Sequence, residues 1–485
     1  MIALSILLLL LVSPATPAAG RVFPTAFSDY AESMVEDASL RGSSWSILFY
    51  SLANDSVIYE YDADRLLTPA SITKLFTSAA ALDALGPDYQ FTTVCFRDGP
   101  LSEDGILHGN LVVQAGGDPT PEVKWSKYHR APALRAWADS LRDSGLRAVT
   151  GNLVLRVWPY RLESAASGWE IGDINAGFAP PTDGFGFNNN VCHLGVFPGG
   201  VVGAPARYVL DPVYAPVSVR SDVVTVDTVS MPWIEMWSVP HDTTIVLTGE
   251  IPLHDDGEYL WIPMQDPARY FGHALRHALI MRGITVYGNI IVERSLSGVP
   301  IGEPLTELHS APLPSVLSLM NKDSDNYISE YVLAALGLAV TGSAERRHGL
   351  KALERFVGRC GISSKSLHLE DGCGLSRRNA VNARSVVGLL RAMHHHPVAE
   401  VFRSTLSVSG IDGTLSYRLS TKNTARRVRA KTGSMTYVSG LAGYAETASG
   451  DTVAFAVLCN NFSCSLSRVR WAEDSIIERF LETYP

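Results

Sequence analysis

Residues 44–50 and 57–61 are runs rich in aromatic and β-branched apolar residues, and the stretch 53–56 between them predicts a β-hairpin. Beyond it the pattern changes. Ile72, Leu75, Phe76, Ala79, Ala80 and Leu82 recur every three or four residues, which predicts an amphipathic helix with Gly86-Pro87 as its stop. Ser71 therefore stands at a helix start. From about residue 92 to 299 the texture becomes short alternating runs divided by Gly, Pro and Asp turns, as at 217–229 and 243–251. Within that region a helical pattern at 133–141 leads to a segment ending Gly151-Asn152-Leu153. A second, at 267–281, leads to one ending Gly288-Asn289-Ile290. The echo reads either as two helix-then-strand units closing one subdomain around another, or as chance recurrence of a common turn signal. Helical patterns return at 315–320, 327–336, 345–357 and 383–394. Strand patterns at 428–433, 439–444 and 452–458 are spaced as a meander, and Ile477, Phe480, Leu481 and Tyr484 share a face of a last helix. An antiparallel sheet with helices packed on it accounts for both chain ends.

A chain of 485 residues exceeds what one core supports, so two or three domains are expected. With 46% hydrophobic and 18% charged residues it reads as ordered and globular. The net charge of -9 leaves no electrostatic footprint for nucleic acid. An apolar run from Ile2 to Val12, followed by small residues up to Gly20, reads as a signal peptide over residues 1–19, with no cysteine nearby to take a lipid. The six cysteines suit an oxidising compartment but have no zinc spacing. Cys459 with Cys464, and Cys360 with Cys373, are near enough in sequence to bridge, with free buried thiols the equal alternative. The run His394-His395-His396 lacks companion ligands and reads as a polar helix terminus, so no metal is assigned.

Three short motifs carry the chemistry. In Ser71-Ile72-Thr73-Lys74, residues three apart share a helix face, which brings an amine to a hydroxyl. Serine needs a base, and lysine serves as one when burial lowers its pKa. Only eight lysines occur, and no other has a serine three residues before it. Ser324-Asp325-Asn326 falls between two helical patterns. By itself it reads as a cap, but its hydroxyl suits proton relay and its amide suits both a substrate carbonyl and Lys74. Lys431-Thr432-Gly433 ends a basic strand whose edge an extended peptide can join, and a lone lysine there is otherwise an edge guard. Each motif occurs once, in this order, on the element its chemistry needs.

The set resembles the signature of penicillin-binding proteins and serine β-lactamases. Ser71 and Ser324 lie 253 residues apart, and Ser324 and Lys431 lie 107 apart. That long first interval is similar to the class C low-molecular-mass penicillin-binding proteins, the D-alanyl-D-alanine carboxypeptidases and endopeptidases. Asp371-Gly372-Cys373-Gly374 and the stretch 410–415 add to the likeness. The resemblance implies an α+β fold: a transpeptidase-like catalytic domain, an antiparallel sheet flanked by helices, formed by residues 20–92 and 300–485. Between them, residues 93–299 would form a large, mainly β insert of two nested accessory domains. It implies Ser71 as the acylated nucleophile, Lys74 as its base, and Ser324 and Asn326 completing the proton network. Lys431 and Thr432 would hold the substrate carboxylate beside Gly433, with the oxyanion on the backbone N–H groups of Ser71 and Ser434. Asp173 would contact a peptidoglycan side chain, its ordinary reading being a turn aspartate.

The implied substrates are peptidoglycan stem peptides and cross-links, with β-lactams as acylating ligands, no cofactor, and a periplasmic or cell-envelope location. Ile72 stands where the family usually has Asn, and Cys373 where it usually has Ser. Competing readings are a serine β-lactamase or esterase of the same fold, which would need a carboxylate to activate water, and a non-catalytic cell-wall-binding relative.

Overall fold

The computed structural model describes residues 25–121, 132–161, 163–227, 231–238, 242–295 and 302–484; the leader expected over residues 1–19 lies outside them. The expected hairpin forms between Ser44–Ser51 and Ser56–Tyr61. It joins the C-terminal meander in one antiparallel sheet of six strands, in the order Ser407–Val408, Val428–Met435, Val438–Glu446, Thr452–Asn460, Ser44–Ser51, Ser56–Tyr61. Both chain ends thus build one sheet.

Its central strands are buried on both faces, and their side chains sort with the period of two that a pleated strand imposes. Leu441, Ala445, Val453, Phe455 and Val457 face helices Thr25–Val35 and Leu466–Thr483. Ala442, Tyr444, Ala454, Ala456 and Leu458 face helices Thr73–Leu85, Asn326–Thr341 and Ala383–His394. On the first face Phe49 meets the rings of Phe27, Phe455 and Phe480 at centroid distances of 5.3, 5.8 and 4.7 Å. Each such burial stabilises the fold by roughly 1.5–3 kcal/mol.

The intervening region leaves and re-enters side by side, because strand Thr92–Arg97 pairs antiparallel with Glu303–His309. These two strands edge a five-stranded sheet with Leu111–Gln114, Leu153–Arg156 and Ile290–Glu293. The sequence echo proves structural. Leu153–Arg156 and Ile290–Glu293 run parallel, with Leu153 opposite Ile290, and helices Pro132–Asp143 and Pro267–Met281 pack together beside them.

A third copy, Gly109-Asn110, completes the motif. Gly288 N–H donates to Gly151 O and Gly151 N–H to Gly109 O, each over 2.9 Å. Asn289 N–H donates to Asn152 Oδ1 at 2.8 Å and Asn152 N–H to Asn110 Oδ1 at 2.7 Å. The Gly-Asn pairs therefore stack as a ladder that keeps three strands in step, and a side chain on Gly288 would collide with Gly151 O at 2.3 Å. Nested within this unit, two three-stranded sheets form the inner accessory domain, one of Glu258–Pro263, Val191–Phe197 and Arg207–Asp211, the other of Ser218–Val226, Thr244–Pro252 and Trp233–Ser238.

All six cysteines are free thiols, Cys459 and Cys464 included. The histidine run ends helix Ala383–His394, with His395 as its C-cap and His396 Nε2 3.2 Å from Asp83.

Candidate active site

Ser71 lies in a 3₁₀ turn, Ala70–Ile72, that runs into helix Thr73–Leu85 rather than in the α-helix itself. In a 3₁₀ turn residues three apart eclipse, so the Ser71–Lys74 contact survives the tighter winding. The turn is held by close packing. Ala70 has a positive φ of 47°, and Gly374, at φ +90°, lies so near that an added Cβ would be 1.9 Å from Ala70 O. On the other side, a Cβ on Gly433 would meet Pro69 O at 2.5 Å and the Ile72 side chain at 3.1 Å. The missing side chain of Gly433 thus admits the nucleophile turn against the strand. Ile72 is wholly buried and fills that contact.

Lys74 is also wholly buried, and its Nζ has three neighbours: Ser71 Oγ at 2.9 Å, Asn326 Oδ1 at 2.7 Å and Cys373 O at 2.6 Å. Burial pushes its pKa down, against the nearby Cys373, Asp371, Asp325 and Glu330. The two carbonyl oxygens can only accept, so a neutral amine spends its two N–H bonds on them. Its lone pair then faces the Ser71 hydroxyl. Cys373 contributes only its main-chain carbonyl here, which any residue supplies, so the change from serine leaves this contact intact.

Ser324 sits between helices Leu313–Lys322 and Asn326–Thr341 at a positive φ of 60°. Capping falls to Asp325, whose carboxylate accepts from Ile328 N–H at 2.9 Å, which leaves the flanking side chains to the cleft. Asn326 Nδ2 donates to Phe178 O at 3.1 Å. Lys431 Nζ donates to Ser324 Oγ at 2.9 Å and to Thr432 O at 2.8 Å. Burial, with the charge of Lys74 added, holds Lys431 well below the ordinary lysine range. Thr432 Oγ1 donates to Thr414 Oγ1 at 2.9 Å, and Ser434 Oγ accepts from Arg470 at 3.1 Å.

Strand Ser407–Val408 covers Val428–Met435 only at Arg429 and Ala430. Among the described residues no strand pairs with that edge from Lys431 onward, so its backbone groups face the cleft. The cleft, about 320 Å³, is lined by Ser71, Ser324, Asn326 and Ser434 together with Asp173, Glu170 and Arg377.

Asp173 belongs to a one-turn helix, Ile171–Ile174, and its carboxylate accepts from Glu170 N–H at 3.0 Å. The insert carrying it is clamped to the catalytic half. Trp169 Nε1 donates to Asp371 at 2.8 Å, Ser376 Oγ to Ser167 O at 2.6 Å, and Arg377 pairs with Glu170.

Sequence reasoning missed Arg377, the Cys373 carbonyl and the buried Glu330. Glu330 accepts from Gly372 and Cys373 N–H at 2.9 and 3.0 Å and pairs with Arg346 at 2.9 Å. The signal for Glu330 was its place one helical turn after Asn326, on the same face. Glu330, Asp371 and Cys373 cluster closely enough to suggest a metal. Glu330 is, however, occupied by Arg346 and two amides, and Asp371 by Trp169, Asn379 and the amides of Gly374 and Ser376.

The model of the D-Ala-D-Ala carboxypeptidase 3 (S13) family matches residues 28–479. The D-alanyl-D-alanine carboxypeptidase of Actinomadura sp. (strain R39) is 30% identical over 470 residues, covering 94% of this chain and 85% of that protein. D-alanyl-D-alanine carboxypeptidase DacB of Haemophilus influenzae is 27% identical over 432 residues, covering 87% and 86%. The crystal structure of penicillin binding protein 4 (dacB) from Haemophilus influenzae superposes with a TM-score of 0.80 at 25% identity, covering 94% of this chain and 98% of that one. A second structure of that protein, complexed with a β-lactam, gives 0.76.

Proposed function

The chain belongs to the D-Ala-D-Ala carboxypeptidase 3 (S13) family, and we propose that it opens D-alanyl-D-alanine-type bonds of peptidoglycan stem peptides by acyl transfer to Ser71. It is a serine-type peptidoglycan hydrolase, a D-Ala-D-Ala carboxypeptidase and endopeptidase, that penicillins acylate. The substrate lies outside the cytoplasmic membrane, so the enzyme works there. We assign it to the periplasm or cell envelope, with residues 1–19 as its leader and residues 93–299 as the insert.

The observation that carries the mechanism is the threefold contact of Lys74. Ser71 Oγ attacks the D-alanyl carbonyl carbon as its proton passes to the Lys74 amine. Negative charge on the carbonyl oxygen is met by the backbone N–H groups of Ser71 and Ser434. The C–N bond breaks, and the proton that Lys74 took passes through Ser324, whose hydroxyl is bonded to Lys431, to the leaving amine, which leaves Lys74 neutral again. Lys431 and Thr432 hold the terminal carboxylate, the open strand edge beside Gly433 aligns the peptide, and Asp173 meets the stem side chain. Water then splits the ester and returns Ser71.

The test is to incubate the chain with a labelled penicillin, a stem pentapeptide and cross-linked muropeptides. One penicillin bound for many minutes on the peptide containing Ser71, with D-alanine release and cross-link opening, is expected. The Ser71→Ala protein should take up no covalent label. Rapid penicillin turnover would point to a β-lactamase instead, and labelling that persists in Ser71→Ala would exclude the mechanism.

A further inference from the structure

The insert meets the Ser324-Asp325-Asn326 turn through a run of asparagines. Asn188, Asn189 and Asn190 all lie in the left-handed region, at φ 49, 52 and 51°. Asparagine adopts that region more readily than most residues with a side chain, yet a consecutive run persists only where surrounding contacts fix it. The outer two have such contacts. Asn188 Nδ2 donates to Val191 O at 2.9 Å, and Asn190 Nδ2 donates to Pro181 O at 2.9 Å and to Tyr331 Oη at 3.1 Å. Met264 N–H donates to Asn190 O at 2.8 Å. The middle side chain reaches out of the insert, where Asn189 Nδ2 donates to Asp325 Oδ2 at 2.8 Å.

Asp325 is thereby gripped at both carboxylate oxygens, because Oδ1 accepts from Ile328 N–H at 2.9 Å. Its two chain neighbours carry the chemistry. Ser324, itself at a positive φ of 60°, accepts from Lys431 through Oγ, and Asn326 Oδ1 accepts from Lys74. A serine stays in the left-handed region only while the groups around it prevent its relaxation. The insert supplies two of those restraints, Asn189 on Asp325 and Phe178 O on the Asn326 amide at 3.1 Å. Without the Asn189 bond the Asp325 side chain would be held through Oδ1 alone, and the turn that carries Ser324 would be free to shift.

We propose that Asn189 is a positioning residue of the acylation centre, acting through Asp325 to hold Ser324 on Lys431 and Asn326 on Lys74. The inference rests on the acyl-transfer reading above. It makes the inner part of the insert a component of the reaction centre, at one remove from the reacting atoms.

Asn189→Gly tests it, because glycine takes the left-handed conformation without steric cost and only the amide is lost. Penicillin labelling at saturation should slow about tenfold, with penicillin affinity within about threefold of wild type, since a displaced hydroxyl loses rate rather than binding. Labelling should still run to completion, which shows the variant folded. Exchanging the pair, Asn189→Asp with Asp325→Asn, restores the bond with donor and acceptor reversed and keeps an oxygen at position 325 to cap Ile328 N–H. The exchange should label within about threefold of wild type, while each of its two changes made singly should slow labelling about tenfold. A wild-type saturating rate in Asn189→Gly, even with a lowered urea midpoint, makes the residue a clamp between domains and overturns the inference. Single losses that add up in the exchange overturn it too. Should Asn189→Gly not fold, the cycle of single changes and exchange decides alone. Wild type that takes up no penicillin and cleaves no peptide refutes the proposed function instead.

Discussion

Asn326 and Glu330 stand one turn apart on the same helix and hold Lys74 by two routes. Asn326 Oδ1 accepts Lys74 Nζ directly at 2.7 Å. Glu330 accepts the N–H groups of Gly372 and Cys373, which fixes the Cys373 carbonyl 2.6 Å from the same amine. The first route is a side chain in the cleft, and the second acts through a loop. Behind Glu330, Arg346 also pairs with Glu163 of the insert at 3.2 Å, so the accessory domain reinforces the arrangement.

Glu330→Met should therefore cost stability and rate separately. Removing one charge of a buried pair costs about 3 kcal/mol, read as a lower urea midpoint. Acylation at saturating penicillin should fall at least tenfold, with penicillin affinity unchanged, because the loop carbonyl no longer directs the Lys74 lone pair. Adding Arg346→Met should recover part of the stability, since the charge then left without Arg346, Glu163, is partly exposed, and none of the rate. Recovery of both together would mean that Glu330 acts on stability alone.

Gly374→Ala tests the packing of the nucleophile turn. The position has φ +90°, and its Cβ would overlap a backbone oxygen at 1.9 Å, a contact no rotamer relieves. Strain of this kind costs about 2–4 kcal/mol and displaces Ala70, next to Ser71. A lowered melting temperature and lost penicillin labelling are expected. Gly450→Ala is the control for φ alone, since its φ of +88° is similar and its Cβ would meet nothing within 4 Å.

Asp173 lines the same cleft as Ser71, placed there by the insert. Asp173→Asn should raise KM about tenfold for a stem peptide whose side chain ends in an ammonium group, through the lost charge pairing. Acylation by a penicillin without an amine should stay at the wild-type rate. A parallel loss on both would make the residue a support of the short helix Ile171–Ile174 instead.

The parts of this architecture legible in the sequence are those set by local periodicity. The hairpin at 44–61, the helix after Ser71 and the C-terminal meander follow from local residue type and periodicity alone. The three motifs were legible because lysine is scarce and each motif sits at an element boundary. What stayed hidden depends on distant segments meeting. No local signal ties Glu163 to Arg346, brings the Phe178 carbonyl to Asn326, or explains that Gly433 yields to Pro69 rather than to a ligand. The Gly-Asn echo was visible twice, but its meaning needed the third copy, because strands in parallel register are set by pairing and not by spacing.

Lys431 supplies the last prediction. It is fully buried, bonded to a hydroxyl and a carbonyl, and held well below the ordinary lysine range by burial and by Lys74. An anion placed beside it reverses the effect, because a nearby negative charge favours the protonated amine. Below the pKa of the free enzyme both states carry the proton, and above that of the complex neither does. Between the two, binding a carboxylate draws one proton from solvent. Ser71→Ala, which binds penicillin without acylation, should show this in calorimetry as a binding heat that depends on the ionisation enthalpy of the buffer. Lys431→Met should remove the dependence. In wild type, acylation needs neutral Lys74 and protonated Lys431. The rate should therefore rise with pH through the lowered Lys74 value and fall again where the complex loses the Lys431 proton, giving a bell. A heat independent of buffer at every pH across the bell would mean that Lys431 stays in one protonation state, and that another group neutralises the carboxylate.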